Sequence, residues 1–478
     1  MLIDGVRFDD AAPKSSWSRG VSGFLAFIER KLGISALFDK RRIPFGRLDL
    51  SEPLQIASKL FDNGVIERYG PAAEDFPDEP PIRLWSCRLN DTEHIYAAGA
   101  SVDDDKAAFT AALAESLERY IWTMQRDYFR TPVRATTREL AARAPLIAPE
   151  RFAGFSEEQR SQDPRLALRF DAAYLWIRGT SLVTGKPTYV PAQQVSAAYR
   201  SFGSAAGEPL IRKLITNGLA TWPTEAGARL AGALECIERE AYMVMWFNQL
   251  TLPRANLSSL RKRSASLDTI VARCEKYRLK VHIVPLLTDA PTHVACAVIE
   301  DESPLGPRFV LGLKSHRSLA RAAEGAILEA LRARRFTRRD EPEKYYDPEK
   351  SVDRIGHRGR VYYWAIPEHA KHLEFLVKGE LKEVPEAAWE HDTIEQQLKR
   401  VVDWCRSNNY EFVSIPLGGS KKNPTRWYIE MVVMPELQPT HLTEEFRHLG
   451  GTRLKSVPEK FGYTPRATPF IERPHPYC

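Results

Sequence analysis

Two short stretches of the chain carry the same potential chemistry. Residues Ala112–Tyr120 read ALAESLERY and Ala233–Ala241 read ALECIEREA, and both contain Glu-x-x-Glu-Arg. On a helix, positions three apart share a face, so Glu115 with Glu118, and Glu235 with Glu238, each point two carboxylates the same way. Arg119 and Arg239 follow directly, turned by about 100°. Like charges at this spacing repel weakly in water and strongly when buried together, and a cation removes the conflict. Hard carboxylate oxygens suit Mg2+, which takes one or two carboxylates plus waters and the oxygens of a nucleotide triphosphate. An arginine beside them can grip a phosphate or lock a glutamate. One such motif alone is an ordinary solvated helix face. Two copies in similar apolar frames, Ala-Leu before and an aromatic soon after, predict one partly buried site for Mg2+ and ATP.

Other chemistries fail on missing residues. A di-iron helix bundle wants Glu-x-x-His, and no histidine falls three residues after any of the four glutamates. Neither G-x-x-x-x-G-K-[ST] nor G-x-G-x-x-G occurs, so any ATP must be held by carboxylates, metal and arginine. The six cysteines form no C-x-x-C pair, which argues against a zinc site or a disulfide framework. Net charge is only +6 over 478 residues, and the basic runs Arg261–Arg263 and Arg332–Arg339 are short, with Phe336 their single aromatic, so nucleic acid is not an expected partner. The longest apolar runs, Ala241–Trp246 and Met431–Met434, are far below the ~20 residues that span a bilayer. With no signal-peptide pattern at the start either, the expectation is no membrane and a cytoplasmic address.

The elements that must position the glutamates alternate in kind. Residues 23–38 read as an amphipathic helix, and the Pro-rich acidic run Tyr69–Pro81 as a connector, which divides the chain into an irregular or helical segment 1–80 and a main domain 81–478. After it, strand-like runs at 82–89 and 94–100 precede a helix opening near Asp103–Asp105 that carries the first motif. A hairpin pattern over 172–191, with Gly-Lys at its turn, precedes a turn and a second helix with the second motif. A third round follows: strands near 280–287, 292–299 and 308–314, then a helix near 316–336 bearing Glu324 and Glu329. A further helix near 395–409, strands near 410–417 and 426–437, and proline-studded coil close the chain. The order predicts an α+β (mixed α/β) fold of repeated strand–helix units.

The segments "AAGASVDDDKAAFTAALAESLERY" and "TNGLATWPTEAGARLAGALECIEREA" resemble the YcaO superfamily, ATP-using enzymes that activate peptide backbone amides. Weaker echoes, including "LARAAEGAILEALRAR" and the final "RPHPYC", extend the resemblance over roughly residues 80–478. It implies a YcaO-like fold around an ATP site, with Glu115, Glu118, Glu235 and Glu238 as Mg2+ and nucleotide residues. Arg119, Arg239, Thr216 and Asn217 become phosphate or pocket contacts, and Glu329 a third-helix contribution. Azoline-forming members end in a proline-rich tail that reaches the active site, which makes Pro474, His475, Pro476 and Cys478 catalytic candidates, His475 or the terminal carboxylate as proton acceptor. The implied activity is that of a cyclodehydratase making thiazoline or oxazoline rings from Cys, Ser or Thr of a ribosomally made precursor peptide. Thioamide or amidine formation, or an ATP-binding scaffold without catalysis, are the alternatives. Members without their own leader-binding domain use a partner related to ubiquitin-activating (E1) enzymes, and no winged-helix segment is recognisable in residues 1–80, so such an E1-like partner is expected; a homodimer is compatible. The chain departs from the family pattern at Gly99-Ala100-Ser101, Ala111, Glu240, Gly325, Arg332 and Cys478.

Overall fold

A computed structural model describes residues 51–72, 76–90, 96–124, 133–169, 171–195, 197, 199, 207–303, 306–339, 347, 352, 355–418, 423, 425–467, 471 and 473–477. The helix expected at 23–38 and Cys478 lie outside them. Helices and sheets are mixed, as expected, and the site rests on three strand–helix units.

The first unit is a three-stranded antiparallel sheet, β1 (Ile66–Pro71), β2 (Arg83–Leu89) and β3 (Tyr96–Ser101), covered by α1 (Ser51–Asp62) and α2 (Asp105–Met124). Alternation along β2 turns Trp85, Cys87 and Leu89 inward, where Trp85 stacks on Phe109 of α2 with ring centroids 4.2 Å apart. α2 starts where Asp104 Oδ1 accepts from the Ala107 amide at 2.9 Å, and Trp85 Nε1 donates to Asp105 Oδ1 at 2.8 Å. The division expected at residue 80 falls in the loop between β1 and β2. That loop is clasped by the third unit: Arg334 lies between Glu79 and Asp301, Arg338 pairs with Asp78 at 2.8 Å, and Arg335 donates to the Pro80 carbonyl at 2.8 Å.

The second unit is a six-stranded sheet ordered β4 (Val133–Thr136), β5 (Ala173–Ser181), β13 (Val413–Pro416), β14 (Tyr428–Val433), β7 (Leu219–Trp222), with β6 (Pro187–Pro191) on the other side of β5. The hairpin turn between β5 and β6 carries Gly185 at φ 73°, the left-handed conformation a glycine suits. Against β7 and β14 packs α3 (Glu225–Asn248), whose Thr224 side chain caps Gly227 N at 3.2 Å. Residues Glu240 to Asn248 are all buried, and Ala241 to Phe247 among them are apolar on every side of α3 and form the centre of the largest core. Sequence patterning read β7 as a turn; only pairing with β14, which is distant in sequence, makes it a strand.

The third unit orders β9 (Lys280–Pro285), β10 (His293–Glu300) and β11 (Phe309–His316) antiparallel, with α5 (Leu319–Arg339) and α4 (Ala265–Lys276) on one face and α3 on the other. Strands β8 (Arg254–Ala255) and β12 (Leu381–Lys382) form a short parallel pair. Helices α6 (His357–Ala365), α7 (Ile394–Ser407) and α8 (Arg453–Lys460) complete the core centred on α3. Residues 461–477 run without helix or strand among those described.

Candidate nucleotide and metal site

Each unit repeats one construction. A backbone amide in or just before a strand donates to a helix glutamate: Ala98 N to Glu115 Oε2 at 2.8 Å, Gly218 N, ahead of β7, to Glu235 Oε2 at 3.1 Å, and Leu313 N to Glu329 Oε2 at 2.6 Å. Gly99 and Gly312 adjoin the donors Ala98 and Leu313, and Gly218 is itself the donor; each lets backbone meet backbone. A Cβ on Gly99 would stand 2.0 Å from the Ala108 carbonyl of α2, and one on Gly312 would stand 2.1 Å from the Ala326 carbonyl of α5. A Cβ on Gly218, at φ 88°, would stand 2.1 Å from the Val432 carbonyl. The close approach brings an amide within reach of a carboxylate on the neighbouring helix, and a charge-assisted bond fixes that carboxylate.

The units meet around these carboxylates. Glu118 is raised well above the ordinary glutamate range by burial and by its neighbours Glu235 and Glu115, which places the first two motifs side by side. Glu238, 5% exposed, accepts from Ser315 N of β11 at 2.5 Å and so ties the second motif to the third unit. Its pKa is also raised, by burial first, against the pull of Arg239 and Lys314 and with the repulsion of Glu329 and Glu235. Arg332, one helical step beyond Glu329, points its Nη1 at the Ala98 carbonyl at 3.5 Å and closes the ring back to the first unit. Five glutamates therefore share one locus: Glu115, Glu118, Glu235, Glu238 and Glu329.

The arginines curl back onto their own helices. Arg119 Nη2 lies 2.6 Å from Glu115 Oε1, and Arg239 Nη2 lies 3.2 Å from Glu235 Oε1 with its Nη1 3.1 Å from Glu238 Oε1. Both guanidinium groups are held above their ordinary pKa, Arg119 chiefly by Glu115 and Arg239 by Tyr477, Glu238 and Glu235 against its burial. Asn217 sits next to the amide that holds Glu235; its Oδ1 accepts from Thr440 Oγ1 at 3.4 Å, and its buried Nδ2 has no hydrogen-bond partner among the described residues. Thr216 offers its carbonyl to Leu219 N at 2.9 Å at the same turn.

This donor set fits a divalent cation with an anionic ligand. Two carboxyls are pushed toward protonation by burial first and by neighbouring carboxylates after it, which a hard cation would offset, and the orphaned Asn217 amide adjoins the donor to Glu235.

Of the other expected residues, Glu324 is drawn away, bound to Ser266 Oγ at 2.5 Å, and Glu240 is engaged by both Arg453 Nε and Nη2 at 2.7 Å. Pro474, His475 and Pro476 lie in a segment docked against α6: Trp364 Nε1 donates to the Pro474 carbonyl at 2.9 Å, and Pro476 lines a small cavity together with Phe309, Ala333 and Trp364. His475 is 2% exposed, with Nε2 2.9 Å from the His441 carbonyl oxygen and Arg360 against the same ring. Two residues at the site were not foreseen. Tyr477 meets Glu329 and Arg239 directly. Lys314 reaches toward Glu238 across the space left by Gly325, where a Cβ would stand 2.7 Å from the lysine Cγ. The missing side chain at Gly325 was the one sequence signal that could have revealed it.

A family model, YcaO cyclodehydratase, ATP- and Mg2+-binding, matches residues 99–437. Among solved structures, a heterocyclase in complex with substrate and cofactor is similar at TM-score 0.70 and 19% identity, covering 89% of this chain. This chain spans 57% of that protein's length. YcaO from Methanopyrus kandleri bound with AMPPCP and Mg2+ is similar at TM-score 0.56 and 18% identity, over 81% of this chain and 91% of that one. The E. coli microcin synthetase McbBCD complex is similar at 0.54 and 12% identity, over 77% and 87%. No curated protein matches by sequence. The chain belongs to the YcaO family, whose cofactors are ATP and Mg2+.

Proposed function

We propose that this YcaO-family chain is an ATP- and Mg2+-dependent cyclodehydratase that forms thiazoline or oxazoline rings from Cys, Ser or Thr of a ribosomally made precursor peptide. The observation that carries the reading is the ring of glutamates on three helices, with Glu115, Glu235 and Glu329 each fixed by a backbone amide. Glu115, Glu118, Glu235 and Glu238 would hold Mg2+, with Glu329 completing the pocket. Arg119, Arg239, Thr216 and Asn217 would face the phosphates.

An amide carbonyl is a poor electrophile because resonance ties it up. In the proposed reaction the side-chain thiol or hydroxyl gives up its proton to a base as its sulfur or oxygen bonds to the preceding carbonyl carbon and leaves an oxyanion. ATP supplies the phosphoryl group that lets this oxygen depart as phosphate, and loss of the amide proton completes the C=N bond. The chain's own part is positioning and electrostatics, as in phosphoryl transfer generally. The strand amides keep the carboxylates aimed inward, and the self-locked arginines present fixed positive charge at no cost in reorganisation. We assign His475 to anchoring, since Arg360 and the His441 carbonyl take up its ring. The heterocyclase structure with substrate and the McbBCD complex support a substrate and protein partners; the partner of this reading is an E1-like leader-binding subunit and its location the cytoplasm. No helix among the described residues is long and apolar enough to cross a membrane.

The test combines the purified chain, its partner and the precursor peptide, and follows ATP consumption and peptide mass. Loss of one water per ring with ATP turnover supports azoline formation. Exchange of oxygen for sulfur identifies a thioamide-forming enzyme, and ATP binding without turnover identifies a scaffold. Replacing Glu238→Gln should abolish nucleotide binding; unchanged binding refutes the site assignment.

A further inference from the structure

The third glutamate is completed by a side chain that neither motif contains. Glu329 Oε2 is taken by the Leu313 amide, and Glu329 Oε1 accepts from the Tyr477 hydroxyl at 2.8 Å. The Tyr477 ring lies beneath the Arg239 guanidinium, 4.4 Å from its carbon, while the edge of that guanidinium faces Glu235 and Glu238. One residue, 6% exposed, thus touches the second and third walls of the pocket at once.

Tyr477 is delivered there by a docked segment. Trp364 binds the Pro474 carbonyl, Arg360 packs on His475, and the Tyr477 amide donates to Tyr242 Oη at 3.2 Å, one helical turn beyond Glu238 on α3. His441, Glu444 and His475 also gather residues of metal-ligand type. There, however, Arg360 and Arg447 already stand 3.3 and 3.1 Å from the Glu444 carboxylate, so the positive charge a cation would bring is supplied. That cluster fastens the segment. Burial and the carboxylates of Glu329 and Glu238 push the Tyr477 phenol well above its ordinary pKa, so it donates across the physiological range.

Resting on the Mg-nucleotide reading above, we propose that Tyr477 is a positioning residue of that site, its phenol orienting Glu329 and its ring bracing Arg239, so that Mg2+ affinity depends on segment 474–477 being docked. Through Glu329, which completes the pocket, and through Arg239, which pairs with the Mg2+ residues Glu235 and Glu238, Tyr477 stands behind the ligands as an outer-shell partner; loss of such a partner typically costs about 10–100-fold in metal affinity. Coupling runs both ways, so Mg2+ and nucleotide also tighten the docking of the segment.

The experiment titrates Mg2+ into the full-length chain at a fixed concentration of a non-hydrolysable ATP analogue, followed calorimetrically. Tyr477→Phe keeps the ring and removes the hydroxyl, and its half-saturating Mg2+ should rise about tenfold or more. Tyr477→Leu should in addition weaken the analogue at saturating Mg2+, because Arg239 loses its brace. A Tyr477→Phe chain with the wild-type Mg2+ requirement overturns the proposal, whatever its melting temperature. Should Tyr477→Phe fail to fold, Trp364→Phe loosens the segment through Pro474 and leaves Tyr477 in place; the Mg2+ requirement should shift the same way, and an unchanged value there overturns the proposal. If the wild-type chain itself binds no Mg-nucleotide, the reading of the site falls instead.

Discussion

Replacing Gly99→Ala tests the strand–helix construction where its geometry is tightest. The added Cβ would lie 2.0 Å from the Ala108 carbonyl, 2.7 Å from the Ala112 amide nitrogen and 2.8 Å from the Ala111 Cβ, and real Cβ atoms are essentially never found under 3.0 Å from such atoms. Two of the three neighbours are helix backbone and cannot swing aside. Strand β3 and helix α2 must therefore separate by about 1 Å to bring the shortest contact back to 3.0 Å. Overpacking of this kind costs about 1–3 kcal/mol. The same movement stretches the 2.8 Å bond from Ala98 N to Glu115 on the adjacent residue, and a misplacement of about 1 Å can cost about 100-fold in rate. Gly70→Ala provides the control, since nothing lies within 4 Å of a Cβ there, and it should stay within about 0.5 kcal/mol of wild type. Urea unfolding measures the stability of both variants, and calorimetry with Mg2+ and an ATP analogue measures the site. A Gly99→Ala chain as stable and as competent for Mg-nucleotide as Gly70→Ala would refute the claim that close backbone approach aims the glutamates.

Titration supplies a second prediction. Glu118 and Glu238 are raised above the ordinary value of 4.5 in the folded chain, chiefly by burial. Between that value and the raised ones the folded state holds more protons than the unfolded state, so stability of the ligand-free chain should fall as pH rises through this window. Glu118→Gln should flatten the fall, melt higher than wild type above the window, and lose the Mg-nucleotide shift in melting temperature. Because Mg2+ takes the ionised carboxylates, its binding should release protons and tighten with rising pH over the same range, read as a buffer-dependent binding enthalpy. Elsewhere, Arg334→Ala removes the cation buried between Glu79 and Asp301 and should cost about 3–5 kcal/mol in denaturant unfolding; a loss under 1 kcal/mol would show that the β1–β2 loop is held by other contacts.

Much of the site was legible in one dimension because helices convert spacing into direction. Glu-x-x-Glu-Arg fixes which carboxylates share a face wherever the helix lies, and two copies marked two helices whose glutamates the fold brings together. The alternation of β2 and the uniformly apolar end of α3 were likewise readable from local pattern. Strand β7 was not, because its ladder with β14 joins residues far apart in sequence. Nor could spacing show that Glu329 belongs with the other four while Glu324, five residues earlier on the same helix, turns to Ser266.

The sequence by itself determined the local chemistry: which side chains exist, which helices carry them, and the glycines that permit close approach. Tertiary structure decided their company. Lys314, Arg332 and Tyr477 join the glutamates only because three sheets and a docked segment converge, and Glu118 is shifted only because Glu235 folds beside it. Electrostatic and hydrogen-bond energies depend on distance through space, and distance along the chain does not fix that.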